Sequence, residues 1–325
     1  MERAASAGGR QEARRLSDIL AGQPADASLL AEIYDIEHDQ IDEDLVFYRE
    51  LARRNPGAAI DLGCGSGRLF EPLLAGGATR IVGIDGSPSL LERAEARIAA
   101  FDGLTAAKVE GRIELSLADV RRVARSDRFE LAILAGVLAH LDGPEEAVRA
   151  IASATQLLAK GGALVLDTLG PGGLPPHDLP LSVDWERTDS GRRIVRRSRI
   201  ERRETPEGLR VAYATLTDVV RADGTISRLP ASFLLWYPSP AVIVALAAEA
   251  ELAVEAVFGS HDLEPLDEDS ERCIVIARST RAVRARSEGC QANRSGSWWW
   301  RTFRRSRPTY ERSSSRSRRS RCSTW

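Results

Sequence analysis

One stretch constrains this chain more than any other. A short, largely apolar run enters a glycine-rich loop and leaves it as a helix: Ala59-Ile60-Asp61-Leu62-Gly63-Cys64-Gly65-Ser66-Gly67-Arg68. The run AAIDL (58–62) is short and bounded by glycine, which predicts a buried strand. Glycines after it free the backbone for positive φ and let N–H groups approach a ligand with no Cβ between. At the first crossover of a doubly wound sheet, such a loop is where a nucleotide-like ligand sits.

The rest of the chain supplies that sheet. RIVGID (80–85) predicts a second strand, followed by a helix over Pro88–Ala100. Arg112–Leu117 predicts a third strand. FELAILA (129–135) predicts a fourth, followed by a helix over Pro144–Ala159. Lys160-Gly161-Gly162 reads as a helix stop, and ALVLDTL (163–169) as a fifth strand. Short apolar strands alternating with helices make a parallel sheet covered on both faces. Ahead of it, Gln11–Ala21 and Ser28–Arg54 read as helices, the second broken near His38–Gln40 and ended by Asn55-Pro56-Gly57.

After the fifth strand the pattern changes. Pro171–Pro180 is a Gly/Pro loop, and Val183–Trp236 holds longer, charged, β-branched segments. Pro206-Glu207-Gly208 and Ala222-Asp223-Gly224 are turn signals between them. This predicts antiparallel strands with one exposed face. The Arg192–Arg203 cluster within it reads first as the wet face of a strand, and second as a surface for an anionic substrate. A helix at Pro240–Ala250 and strands at Val254–Phe258 and Arg272–Ala277 complete the body.

The second strand ends in Asp85, 22 residues after Gly63, where a carboxylate can accept both hydroxyls of a ribose. Dinucleotide folds use G-x-G-x-x-G with a pyrophosphate at the helix N-terminus. Here the spacing is G-x-G-x-G, and Asp61 lies two residues before the first glycine. That carboxylate would repel a pyrophosphate and suit a cationic amino group. Asp61, Gly63, Gly65, Gly67 and Asp85, with Leu117-Ala118-Asp119-Val120 at the third-strand exit, resemble the class I S-adenosylmethionine-dependent methyltransferases. The resemblance spans roughly residues 30–278. It implies a Rossmann-like α/β fold: a mainly parallel seven-stranded sheet, helices on both faces, and an antiparallel β insertion after the fifth strand. It implies S-adenosyl-L-methionine as cofactor. Asp61 would contact the methionine amino group, Asp85 the ribose, and Asp119 with Val120 the adenine. Gly63, Gly65 and Gly67 would line the methionine and ribose portion.

Within the family, the stretch Tyr34-Asp35 followed by Phe47-Tyr48 looks like the N-terminal lid of small-molecule enzymes. It is most like the amino-sugar N,N-dimethyltransferases and glycine N-methyltransferase-like proteins. On that likeness His140 and Tyr34 are the expected catalytic pair, and Tyr48 a cofactor or lid contact; helix packing and a helix-start role are the bland readings of these three. No D/N/S-P-P-Y/F/W motif of amino-methylating nucleic-acid enzymes follows the fourth strand, which reads Leu134–Leu141 without proline. The expected reaction is methyl transfer to a nitrogen or oxygen of a small molecule. A non-catalytic S-adenosylmethionine-binding protein and a nucleic-acid or protein methyltransferase are the alternatives. The apolar face of the insertion must cover something, either a substrate pocket, the favoured option, or the partner in a homodimer.

Composition narrows partners. The net charge of −2 hides a split: residues 279–325 carry 13 Arg against Glu288 and Glu311, so the preceding body is acidic by −13. An acidic body is poorly suited to nucleic acid. The Arg/Ser/Trp-rich tail has three readings: a basic tail for an anionic surface, plain disorder, or a non-native, out-of-frame segment. The last fits a GC-rich coding sequence, since Lys108 and Lys160 are the only lysines. Ala241–Phe258, the most apolar window, is broken by Glu249, Glu251 and Glu255, so no membrane span is expected. With no signal-peptide segment and no Cys-x-x-Cys, a cytoplasmic protein without a metal site is expected. The domains expected are an N-terminal lid (1–57), a cofactor-binding core (58–170 and 239–278), the insertion as substrate cap (171–238) and the tail (279–325).

Overall fold

Seven strands build the main sheet: β1 (Ala58–Leu62), β2 (Arg80–Asp85), β3 (Ile113–Leu117), β4 (Phe129–Ala135), β5 (Leu158–Leu169), β10 (Leu252–Phe258) and β11 (Arg272–Ser279). Their order is β10-β11-β5-β4-β1-β2-β3. The structure is a computed structural model that describes residues 26–280. The helix expected at Gln11–Ala21 and the tail beyond Thr280 lie outside those residues. Every neighbouring pair in the sheet is parallel except those of β11, which runs against both β10 and β5. Strand order therefore reverses between β1 and β4, and a switch point of this kind opens a crevice at the carboxyl ends of the strands.

Strand alternation sorts side chains to two faces. Ile60, Leu62, Val82, Ile84, Leu134 and Leu166 pack against α6 (Pro144–Leu157) and α7 (Pro240–Glu249). Ile81, Leu131, Ile133, Val165 and Ile276 pack against α2 (Leu45–Arg54), α3 (Phe70–Ala75) and α4 (Pro88–Ala100). Local signals set the helix starts. Ser87 accepts a hydrogen bond from Leu90 N–H at 3.3 Å ahead of Pro88, and Ser239 accepts one from Val242 N–H at 3.4 Å ahead of Pro240. A serine cap followed by proline is a strong helix start. α1 (Ala27–His38) begins at Asp26, whose carboxylate accepts Leu29 N–H at 3.0 Å. The expected break between α1 and α2 is present.

Three details differ from expectation. A short helix α5 (Asp102–Val109) follows α4, and only Leu104 and Ala107 of it are buried, too few apolar positions to show as a period. β5 begins at Leu158, so the glycine pair lies inside the strand. Phe129 pairs with Leu158 and Leu131 with Ala163, a bulge that Gly161 accommodates with φ +78°. The insertion has four strands, because β6 (Leu179–Asp189) precedes β7 (Arg192–Thr205), β8 (Gly208–Val220) and β9 (Ile226–Pro238).

These four strands form a separate antiparallel sheet in the order β6-β7-β8-β9. One end of its inner face, with Ile194, Val219 and Leu229, packs on Ile33 of α1. The other end, with Ile200, Leu209, Val211, Tyr213 and Tyr237, packs on Ala139 after β4. The arginine cluster divides by strand alternation. Arg193 is well exposed. Arg196, on the inner face, is 5% exposed and ion-paired with Glu37 of α1. Arg192 meets Glu32 of α1 at 2.5 Å. Part of the cluster therefore clamps the insertion to α1 and is not a wet face.

Candidate active site

The carboxyl ends of β1, β2 and β4 converge on the glycine loop. Gly63, Gly65 and Gly67 have φ values of +85°, +54° and +76°, a region that L side chains rarely occupy. Two of them also have no room for a side chain: a Cβ on Gly63 would lie 2.3 Å from Val137 and one on Gly67 would lie 2.6 Å from Phe70, while one on Gly65 would press at 3.1 Å on the Tyr34 hydroxyl. The loop is a bare backbone cradle with Tyr34 laid across it.

Asp85 shapes this cradle. Its Oδ2 accepts Gly65 N–H at 2.8 Å, and its Oδ1 accepts Ser87 N–H at 2.8 Å. The carboxylate is half-buried at the end of β2, with lone pairs left for hydroxyl donors. Asp61 lies one strand over and is 2% exposed. Burial first, and then the Asp85 charge, push its pKa up from 3.8 to about 7, while Arg68 pulls the other way. No hydrogen bond enters that balance. A buried carboxylate without a partner is costly unless a cation meets it. The donor set therefore fits a ligand carrying an ammonium group beside a ribose.

Tyr34 and His140 both lie within electrostatic reach of Asp85. Burial first raises the Tyr34 phenol to about 12, Arg68 lowers it, and Asp61 and Asp85 raise it further. It is a neutral hydroxyl at any physiological pH. His38, one helical turn later, stacks on it with ring centroids 4.0 Å apart. His140 ends a short 3-10 turn (Val137–His140) that follows β4. Its ring reaches water, yet surrounding protein desolvates it and lowers its pKa below 6.5, with Asp85 opposing.

Other expected residues make different contacts. Tyr48 is fully buried and donates its hydroxyl to Asp167 Oδ2 at 2.6 Å. Asp167, at the end of β5, also meets His261 at 2.8 Å and Arg272. Burial would raise its pKa, but Arg272, His261 and Tyr48 together hold it well below the carboxylate range. Tyr48 thus ties α2 to the sheet through Asp167. Asp119 turns back on Arg121, accepting its Nε at 2.8 Å and its backbone N–H at 2.9 Å. The Arg121 hydrogen bond is the main cause of an Asp119 pKa near 2. A ligand amino group there would share the carboxylate with Arg121. Val120, half-buried, packs on the sheet core beside it.

Sequence reading passed over three residues here. Arg68 forks onto Asp44 at 2.8 and 2.6 Å and reaches Ile41 O at 3.0 Å. Arg97 of α4 donates to Ser66 O at 2.9 Å and pairs with Asp39. His38 was legible only as the fourth residue after Tyr34, where helix neighbours meet.

Residues 60–164 match the family model described as a methyltransferase domain. No curated protein matches the chain. Among solved structures, an S-adenosylmethionine-dependent methyltransferase from Clostridium acetobutylicum is similar, with 15% identity and a TM-score of 0.62. The match covers 77% of this chain and 97% of that one. The sugar N-methyltransferase KedS8 from a Streptoalloteichus species shares 18% identity at a TM-score of 0.58, covering 76% and 92%. The amino pentose methyltransferase CalS10 from Micromonospora echinaspora, solved with S-adenosylmethionine bound, shares 21% identity at a TM-score of 0.52, covering 82% and 96%. At these identities the likeness shows the fold. Residues 60–164 therefore carry a methyltransferase domain, set in the mainly parallel seven-stranded sheet. S-adenosylmethionine is the ligand of the similar CalS10 structure. Among the described residues no helix is long and apolar enough to cross a membrane.

Proposed function

We propose that this enzyme methylates an amine nitrogen of a small polar acceptor, with an oxygen acceptor as the second reading. The observation that carries it is that Tyr34, lying on Gly65 of the glycine loop, and His140 both stand within electrostatic reach of Asp85, with a buried Asp61 that lacks a hydrogen-bond partner on the next strand. Two of the similar structures are a sugar N-methyltransferase and an amino pentose methyltransferase, which supports an aminosugar-like acceptor.

When bound, S-adenosylmethionine supplies an electrophilic methyl on a sulfonium. Asp61 would hold its ammonium, Asp85 its ribose hydroxyls, and Asp119 with Val120 its adenine. Gly63, Gly65 and Gly67 would line the methionine and ribose, and Tyr48 would support the lid from below. Alignment and water exclusion provide most of the acceleration of such a displacement. Tyr34 keeps its phenol proton and can orient the acceptor by hydrogen bonding. His140 is neutral near pH 7 and can take the proton that the amine loses. Residues 58–170 with 239–278 act as the cofactor core, and 171–238 as a cap over the acceptor. A homodimer through the outer face of the insertion is compatible with this arrangement, since Leu234 there is 78% exposed.

Transfer of labelled methyl from S-adenosylmethionine to a panel of small amines and alcohols tests the reading. The expected result is a methylated amine, with turnover lost in His140→Ala while S-adenosylhomocysteine still binds. Unchanged turnover in His140→Ala contradicts the role given to His140. Cofactor binding without transfer to any acceptor favours the non-catalytic alternative.

A further inference from the structure

The inner face of the insertion sheet is not uniformly apolar. Its two ends are, where Ile194, Val219 and Leu229 meet α1 and where Leu209, Val211 and Tyr237 meet the turn after β4. Between them lie two cross-strand rows of polar residues. Arg196 of β7 pairs in register with Thr217 of β8, and Ser198 pairs with Thr215. All four are buried, none more than 5% exposed. Alternation on a strand places Thr215 and Thr217 on one face, roughly 7 Å apart.

These groups are only partly satisfied. Arg196 pairs with Glu37 and donates to the Tyr213 hydroxyl at 2.7 Å, but its Nε has no hydrogen-bond partner among the described residues. Ser198 donates to Asp184 at 2.6 Å. No side-chain hydrogen bond joins Thr215 or Thr217 to another described residue. Polar groups in such a setting are normally paired, and the Thr215 and Thr217 hydroxyls are left to take a polar partner that the chain does not supply. Position says where that partner sits. Glu37 is the third residue after Tyr34 on α1, and Ala139 directly precedes His140. The belt spans the interval between these two anchors, one a turn of helix from Tyr34 and the other adjoining His140.

We propose that Thr215, Thr217 and Ser198, backed by Arg196, form the specificity surface of the acceptor pocket and select a polyhydroxylated amine over an apolar one. The proposal rests on the methyltransferase reading and adds to it the residues that choose the acceptor. A hydroxylated ring can give and accept hydrogen bonds along the belt. An apolar ring of the same size would leave the Thr215 and Thr217 hydroxyls unpaired, and unpaired groups in a covered site discriminate strongly.

Two probes of equal ring size test this: glucosamine and cyclohexylamine, each with labelled S-adenosylmethionine. Wild type should prefer glucosamine in kcat/KM. Thr215→Val and Thr217→Val, isosteric changes whose folding is checked by Tm, should each lower the glucosamine-to-cyclohexylamine ratio about 2- to 10-fold, the scale of one net hydrogen bond. Equal use of both amines by wild type, or an unchanged ratio in both variants, overturns the proposal. If neither amine is methylated while S-adenosylhomocysteine binds, the belt assignment fails and the cofactor reading stands. If S-adenosylhomocysteine does not bind, both fail.

Discussion

Tyr34 and Gly65 meet where α1 crosses the glycine loop, and a Cβ on Gly65 would stand 3.1 Å from the Tyr34 hydroxyl. The contact packs α1 directly onto the loop. Gly65→Ala would add strain at φ +54° and lift Tyr34 off the cradle. Left-handed backbone costs an L residue about 1–2 kcal/mol. The expected outcome is a lower Tm together with weaker S-adenosylhomocysteine binding. A variant with a lower Tm and unchanged affinity would separate Tyr34 from cofactor retention.

Asp61 gives a pH dependence whose sign can be worked out. Its carboxyl has a folded pKa near 7 against an ordinary 3.8. The folded state then binds more protons than the unfolded state between those values, so stability falls as pH rises through that window. Three pKa units correspond to roughly 4 kcal/mol at most. Asp61→Asn should therefore raise the Tm of the cofactor-free protein at pH 8 while weakening cofactor binding. Thermal scans at pH 5 and pH 8 check it. A Tm gain of equal size at both pH values contradicts the assignment.

Cofactor affinity should follow the same group. Below pH 7 Asp61 is protonated, and binding an ammonium there must release that proton. Affinity should drop toward tenfold per pH unit below about pH 6 in the wild type. In Asp61→Asn the curve should be flatter over that range. Calorimetry at several pH values, in buffers of different ionisation heat, reads both the slope and the proton release.

His140 should set the acidic limb of activity. Burial lowers its pKa below 6.5, so the imidazole stays neutral to lower pH than an ordinary histidine. The expected kcat/KM profile falls only below pH 6.5 on its acid side, and that limb should be lost in His140→Gln. A limb near pH 7.5 that survives the substitution would assign the titration elsewhere.

α1 is held by ion pairs on two sides. Arg93 meets Asp35 at 2.5 Å and Arg97 pairs with Asp39 on the α4 side, while Arg192 and Arg196 grip Glu32 and Glu37 on the insertion side. Arg97→Ala should speed S-adenosylhomocysteine release more than it lowers Tm, because Arg97 also fixes Ser66 O. Stopped-flow release rates check this. Equal rates in wild type and variant would show that the α4 clasp does not gate the site.

The parallel sheet was legible because each strand is a short apolar run ended by glycine, proline or a charged turn. The glycine loop was legible because its spacing is itself the backbone geometry. The bulge in β5 was not, since Gly161 and Gly162 read the same way whether they stop a helix or kink a strand. The inward turn of Arg196 was also hidden. Alternation puts it on the apolar face, but only Glu37, 159 positions earlier, makes burial of that charge tolerable. The Asp167 cluster draws on β5, α2, the loop before β11 and β11 itself, a meeting that no local pattern encodes. Asp119 was legible as a carboxylate at the exit of β3, whereas its engagement by Arg121 depends on a side-chain rotamer.

Calorimetric titration of the full chain with S-adenosylhomocysteine, S-adenosylmethionine and NADH, repeated on Asp85→Asn, tests the central claim most directly. The expected result is one site for each of the first two ligands and none for NADH. Asp85→Asn should weaken binding by about 1–3 kcal/mol, the scale of hydrogen bonds to a charged group. Binding of NADH without S-adenosylmethionine, or an affinity unchanged by Asp85→Asn, would contradict a methyl-donor site built on the Gly63–Gly67 loop.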